Sequence, residues 1–184
     1  MEDGQIIDLF WDRSEEAIRL TKEKYGAACM QLLRNLLRNE LDAEECANDA
    51  YLALWDTIPP ERPTALQAYL LKVARNLGLR RVTYNNAQRR DSRQILPLEE
   101  LEGVLASPET VEQTVDGKLL EQELVKFLRA LPKADRQLFI RRYWFCDSLE
   151  ELESCFGWSK SKIKSRLFRL RGRLRDHLTR EGFL

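Results

Sequence analysis

Apolar side chains recur along most of this chain at helical spacing. Near the C-terminal end, Ile163, Leu167, Leu170 and Leu174 follow one another at intervals of four, three and four. At about 100° per residue these fall in one stripe that has to be buried. Roughly opposite lie Ser161, Lys164, Ser165, Arg169 and Arg175, a face of hydroxyls and cations. Ser148 with Glu151 forms a capping box, so a helix is predicted from Leu149 to about Cys155, with Gly157 breaking it and Ser159 capping the next. Two short helices joined by a glycine turn, the second basic on its outer face, predict a helix-turn-helix whose second helix enters a DNA major groove. The same turn also occurs in plain helical hairpins, and a basic face is often only solvated surface.

The remainder of the chain repeats the helical period. Leu9, Phe10, Ala17 and Ile18 give one or two short helices within 6–25, and Met30, Leu33 and Leu37 align along 27–38. Asp42, with Glu45 as its box partner, opens a helix over 42–56 whose stripe is Ala47, Ala50, Tyr51 and Leu54. After the proline loop IPPERPT, Thr64 with Gln67 opens another, with Leu66, Leu70, Val73 and Leu77 inward. Leu120, Leu124, Phe127 and Leu131 mark a further helix, and Pro132 starts the next. In that last helix Phe139, Ile140, Tyr143 and Trp144 read as core. Alternating strand patterns are absent, so the expected fold class is all-α.

Residues 91–117 break the pattern. They hold Pro97, Gly103, Pro108 and Gly117, an acidic excess and no sustained period beyond one helical turn at Glu99–Val104. The expected organisation is a helical domain over 1–92, a flexible acidic linker over 93–117 and a helix-turn-helix domain over 118–184.

Charge sharpens this picture. The 184 residues sum to zero, yet 158–184 carry nine Lys and Arg against two Asp and Glu, and 62–94 carry eight against one. Segments 1–61 and 95–127 are acidic, with fourteen anions to six cations and eight to two. Two basic islands separated by acidic sequence suggest two contacts with a polyanion. In the first island the run ARNLGLRRVTYNNAQRR mixes cations for phosphates, Tyr84 for stacking and amides for base edges, which suits a single nucleic-acid strand. The acidic residues of the 42–56 helix either complement its dipole or form a docking face for a basic partner.

Other classes recede. No apolar run spans a bilayer and the N-terminal residues lack a signal-peptide pattern, so a cytoplasmic location is expected. Cys29, Cys46, Cys146 and Cys155 are scattered singly beside one histidine, His177, which argues for reduced, packed thiols and against a disulfide framework or a metal site. There is no glycine-rich phosphate loop and no carboxylate cluster tied to a His or Cys site. Neither catalysis, a cofactor nor a small-molecule substrate is expected.

The order of these pieces, DAEECANDAYLALW, a proline loop, AYLLKVARNLGLRR, an acidic linker, LRALPKADRQLFIRRYW and KSRLFRLR, resembles the short bacterial sigma factors of the extracytoplasmic-function group. The likeness covers about residues 25–178. It implies a protein that binds core RNA polymerase and directs it to promoters, and such proteins are often held by an anti-sigma factor. By this resemblance Asp42, Glu44, Glu45, Asn48, Asp49, Leu52 and Trp55 dock on a coiled coil of the polymerase. Arg62 and Thr64 meet a flipped-out base of the minus-ten element, while Lys72, Arg75, Asn76, Arg80 and Arg81, with Tyr84 beside them, hold the strand just upstream. Lys160, Ser161, Lys162, Lys164, Ser165, Arg166 and Arg169 read the minus-thirty-five element. Phe168, on the same outer side, packs either on a thymine methyl or against the domain's edge. The rival reading is a stand-alone helix-turn-helix regulator on a two-fold operator; it leaves the first basic island and the acidic helix unused, and no heptad seam for a dimer is present.

Overall fold

The computed structural model describes residues 2–88, 97, 100–101 and 117–184. Among the described residues every regular element is helical: α1 (Asp3–Trp11), α2 (Glu16–Leu37), α3 (Glu40–Thr57), α4 (Leu66–Gln88), α5 (Gly117–Ala130), α6 (Lys133–Tyr143), α7 (Leu149–Phe156) and α8 (Lys160–Arg180). The fold is all-α. It divides into two compact units, residues 1–94 and 95–184. Most of the expected linker, with Arg89, Arg90 and Arg93 of the first basic island, lies outside the described residues.

In unit 1, α2, α3 and α4 pack on one another, and α1 lies against α2. The centre of the bundle is built of leucines from α2 (Leu32, Leu33, Leu36) against small residues from its partners: Ala43 and Ala50 of α3, Ala74 of α4. Small side chains let backbones approach closely, and Gly78 is the limiting case. A Cβ there would lie 2.5 Å from Leu36 Cδ2 and 3.1 Å from Leu33 Cδ2.

Several sequence expectations shift for physical reasons. The segments read separately as 6–25 and 27–38 contain one continuous helix from Glu16 to Leu37. A single interior glycine, Gly26, costs only about 1 kcal/mol against alanine, less than the buried packing on either side of it supplies. Helix α3 starts before Asp42, because Asn39 in extended conformation accepts from the Asp42 amide at 3.2 Å. Asn is among the strongest N-cap residues, and Asp42 is left free to face α4. The inward face of α4 is Leu66, Leu70, Leu71, Ala74, Arg75, Gly78 and Val82, rotated from the predicted stripe. Val73 and Leu77 are only half-buried, since the small face at Ala74 and Gly78 admits α2 more closely than a row of branched side chains does.

Asp3 joins three helices. Its carboxylate accepts from Lys24 Nζ at 2.9 Å and from the Tyr25 hydroxyl, both on α2, and from the Leu66 amide at 3.1 Å. Leu66 is the first residue of α4, so a side chain of α1 satisfies an amide that the helix itself leaves unpaired. Burial pushes the Asp3 carboxyl up, but these donors outweigh it and hold it below the ordinary range.

Unit 2 is organised by the predicted stripe of α8. Ile163, Leu167, Leu170, Leu174 and Leu178 are all buried, with Leu138 of α6 and Leu152 of α7. Each such side chain contributes about 1.5–3 kcal/mol when removed from water. Phe139 and Tyr143 join this core as expected, whereas Trp144 is exposed because α6 ends at Tyr143. Of the four free cysteines three are buried, and Cys155 is exposed near the end of α7.

Glu100, within the stretch expected to be linker, is held on unit 2. It pairs with Arg142 and, at 2.8 Å, with Arg171. Tyr143, its phenol pushed up to about 12 by burial, donates to it at 3.2 Å. Leu101 packs on the same core.

Because the folded-state value of Asp3 is depressed, its contribution to unit 1 is present above the unfolded carboxylate range, near pH 4, and is lost as pH falls through the folded value. Asp3→Asn is expected to cost unit 1 about 1 kcal/mol at pH 7 and to flatten its loss of stability between about pH 5 and 3. Urea unfolding followed across that range checks this; an acid limb as steep as wild type refutes it.

Candidate nucleic-acid interface

The turn of unit 2 is built by local sequence. Ser148 Oγ accepts from the Glu151 amide at 3.1 Å, and Glu151 accepts from the Ser148 amide at 2.7 Å, closing the box. Gly157 then adopts φ 62°, a left-handed conformation that suits glycine, and Ser159 accepts from the Lys162 amide at 3.3 Å to start α8. With its apolar stripe buried, α8 presents Lys160, Ser161, Lys162, Lys164, Ser165 and Arg169 outward, and Phe168 stands among them 70 % exposed.

The cations of this face differ in their surroundings. Lys160 pairs with Glu150 of α7 at 2.6 Å, which raises its pKa and lowers that of Glu150. Trp158, in the turn, carries two cations: Lys162 Nζ lies 4.7 Å from its ring centre and the Arg166 guanidinium 4.6 Å. Arg166 also reaches Asp135 of α6 at 2.8 Å and is half-buried. Lys164, Ser165 and Arg169 remain on the open surface.

In unit 1, Lys72, Asn76, Arg80 and Tyr84 of α4 stand four residues apart on one exposed row, Tyr84 being 61 % exposed. Arg75 leaves that row for the bundle interior, at 9 % exposure. Arg81 turns toward α3, where it meets Glu45 at 2.7 Å and Asp42 at 3.5 Å; Asn85 donates to Asp42 at 3.0 Å. Between the two helices lies an open groove of about 420 Å³, lined by Cys46, Asp49, Leu77, Arg80, Arg81 and Tyr84. Glu44, Glu45, Asn48, Asp49 and the 57 %-exposed Leu52 form the outer face of α3. Trp55 is half-buried, 6.4 Å from Phe10 with Arg13 over its ring. In the loop before α4, Arg62 and Thr64 are exposed, and Arg62 pairs with Asp8 and lies over Trp11.

Thus the fold gathers most of the predicted residues into three surfaces, the outer face of α3, the row on α4 with the preceding loop, and the outer face of α8, while Trp55 and Arg75 are drawn inward and Arg81 and Arg166 turn to carboxylates of neighbouring helices. The holders of the cations were missed from sequence. Trp158 had a local signal, since an apolar residue just before a serine cap with Ile163 at the fourth helical position is a hydrophobic-staple pattern. Asp135, 31 residues from Arg166, and Asp8, 54 residues from Arg62, had none.

Both units are helical, and the second presents a polar helix-turn-helix face. Residues 22–88 match the family model of sigma-70 region 2. The chain is 27% identical over 181 residues to the RNA polymerase sigma-E factor of Streptomyces avermitilis, covering 97% of this chain and 89% of that protein. It is 28% identical over 180 residues to the RNA polymerase sigma-E factor of Streptomyces coelicolor, covering 95% and 88%. The ECF RNA polymerase sigma factor SigE of Mycolicibacterium smegmatis is 26% identical over 156 residues, covering 83% of this chain and 58% of that protein. The chain is thus similar over residues 22–88 to sigma-70 region 2, and over nearly its whole length to RNA polymerase sigma-E factors. Among the described residues no helix is long and apolar enough to cross a membrane.

Asp135 is buried while Arg166 keeps some access to water, so removing the carboxylate strands a partly desolvated cation. Asp135→Ala is expected to cost unit 2 about 1–3 kcal/mol, read by urea unfolding. A midpoint equal to wild type shows the pair to be an idle surface contact.

Proposed function

We propose that this chain is a sigma factor of the extracytoplasmic-function type that docks on core RNA polymerase through the outer face of α3, captures the melted minus-ten strand with α4 and the loop before it, and reads the minus-thirty-five duplex with α8. It acts where its polymerase does, in the cytoplasm. The observation that carries the reading is the separation of charge on unit 1. An acidic face with two exposed leucines, Leu41 and Leu52, lies on α3, and a row of cation, amide and aromatic lies on the neighbouring α4. Oppositely charged surfaces side by side on one bundle suit two different partners, a basic protein surface and a polyanionic strand.

The row Lys72, Asn76, Arg80, Tyr84 supplies what an unpaired strand requires: two charges for phosphates, an amide for a base edge and a ring for stacking. On α8, Lys164, Ser165 and Arg169 are the side chains open to base edges and phosphates, while Lys162 and Arg166 are steadied by Trp158. A good bidentate base contact discriminates by about 1–3 kcal/mol, and flipping a base costs a few kcal/mol. Each unit alone is therefore too weak to select a promoter, and the polymerase has to bring both to bear at once.

Charge reversal at Glu45 and Asp49 together is expected to weaken capture of core polymerase at least tenfold while leaving binding of duplex DNA by α8 in place. Pull-down of core with the purified variant reads this, and retention equal to wild type removes α3 as the docking face. Lys164→Ala with Arg169→Ala is expected to abolish promoter-specific transcripts in a reconstituted assay yet leave the complex with core intact. Loss of that complex contradicts the role given to α8.

A further inference from the structure

Helix α1 lies outside the family match, and its residues predict nothing beyond an apolar side. In the structure α1 and the residues just after it meet the end of α3, the loop that follows and the start of α4. Just past α1, Arg13 Nη1 donates to the Trp55 carbonyl at 2.6 Å and its guanidinium lies 5.4 Å from the Trp55 ring centre, close before the loop. Within the loop, Arg62 is held by the Asp8 carboxylate and lies 5.8 Å from the centre of the Trp11 ring. At the far end, Asp3 accepts from the Leu66 amide.

At the middle contact two side chains of α1, Asp8 and Trp11, hold one guanidinium. An arginine offers five N–H donors in one plane. Asp8 takes part of one edge and Trp11 lies under one face, while the Arg62 side chain stays 55% exposed. Trp11 itself is 43% exposed, so its ring is a surface feature and not a core filler. Exposed ion pairs and cation–π contacts add little to folding, but they narrow the rotamers of a long, flexible side chain. The carboxylate also offsets the charge of Arg62, so that it attracts phosphates weakly and its open donors are left for a neutral hydrogen-bonding edge.

We propose that α1 is the positioning element of the strand-reading loop: Asp8 and Trp11 set the guanidinium of Arg62 so that its free edge meets one unstacked base. This rests on the assignment of the loop to the melted promoter strand. Asp8 and Trp11 act through Arg62, and their loss alters selectivity more than affinity. A cation released from Asp8 turns to the backbone, where each phosphate neutralised on a single strand adds about 0.7 to the log-log salt slope.

The test uses holoenzyme assembled from core RNA polymerase and the full chain, with a fork-junction DNA library whose single-stranded arm is randomised. Arg62→Ala is expected to lose the base preference at one position of the arm. Asp8→Asn and Trp11→Ala relax that same position by about three- to tenfold, whereas Asp8→Glu and Trp11→Phe retain it. Asp8→Asn also steepens the salt slope on the preferred sequence by about 0.7, and it has no further effect in the Arg62→Ala background. A purely structural role for Asp8 leaves that slope unmoved, and should Trp11→Ala unfold, the Asp8 variants and the slope carry the test. If wild-type holoenzyme selects bases but Asp8→Asn and Trp11→Ala match it in preference and slope, the positioning role is overturned. An Asp8→Asn effect that persists without Arg62 overturns it equally. Wild-type holoenzyme that selects no base in the arm overturns the loop assignment itself.

Discussion

The close approach of α4 to α2 at Gly78 is the constraint on which unit 1 depends. With no room for a Cβ beside Leu36 and Leu33, the backbone of α4 lies directly on the leucine layer of α2, and Ala74 continues the same contact. Burying this small face fixes the rotation of α4 about its axis. Its rotation in turn decides that Lys72, Asn76, Arg80 and Tyr84 face solvent, that Arg75 goes inward and that Arg81 meets α3. A helix packed on a row of branched side chains stands further off and turns differently. The surface chemistry of unit 1 is therefore a consequence of packing between its most featureless residues.

Unit 2 reaches the same end by a broader route. Five branched side chains of α8 enter the core, and most of the polar remainder faces outward, apart from Arg166 and Arg171, which pair with Asp135 and Glu100. Local caps fix the angle between α7 and α8: a closed capping box, one left-handed glycine and a serine cap. This leaves α8 with a rigid base and an exposed face on which hydroxyls, cations and one phenylalanine are interleaved.

The cations of both units are unequal, although in sequence they look alike. Arg62, Arg81, Lys160 and Arg166 are each held by a carboxylate, and Arg62 and Arg166 also rest on a tryptophan. The exposed pairs among them, at Arg62 and Lys160, contribute little to stability, unlike the part-buried pair of Arg166 with Asp135. Their physical effect is on orientation and on how much of each charge is left to attract a polyanion, so counting arginines overstates the number of free positive charges.

Much of this protein was legible in its residues. Helical period, capping pairs and the glycine break depend on neighbours within about four positions, and they gave the all-α class, the turn of unit 2 and the buried stripe of α8. Where two local signals competed, the sequence misled: Asn39 caps α3 ahead of Asp42, and a lone glycine did not divide α2. Charge segregation, a property of composition, marked the two basic islands. What only the tertiary structure decided is which of those side chains are open and which are held, because the partners lie 31 residues away for Arg166 and 54 for Arg62. No periodicity links positions that far apart; they meet because the packing of whole helices brings them together.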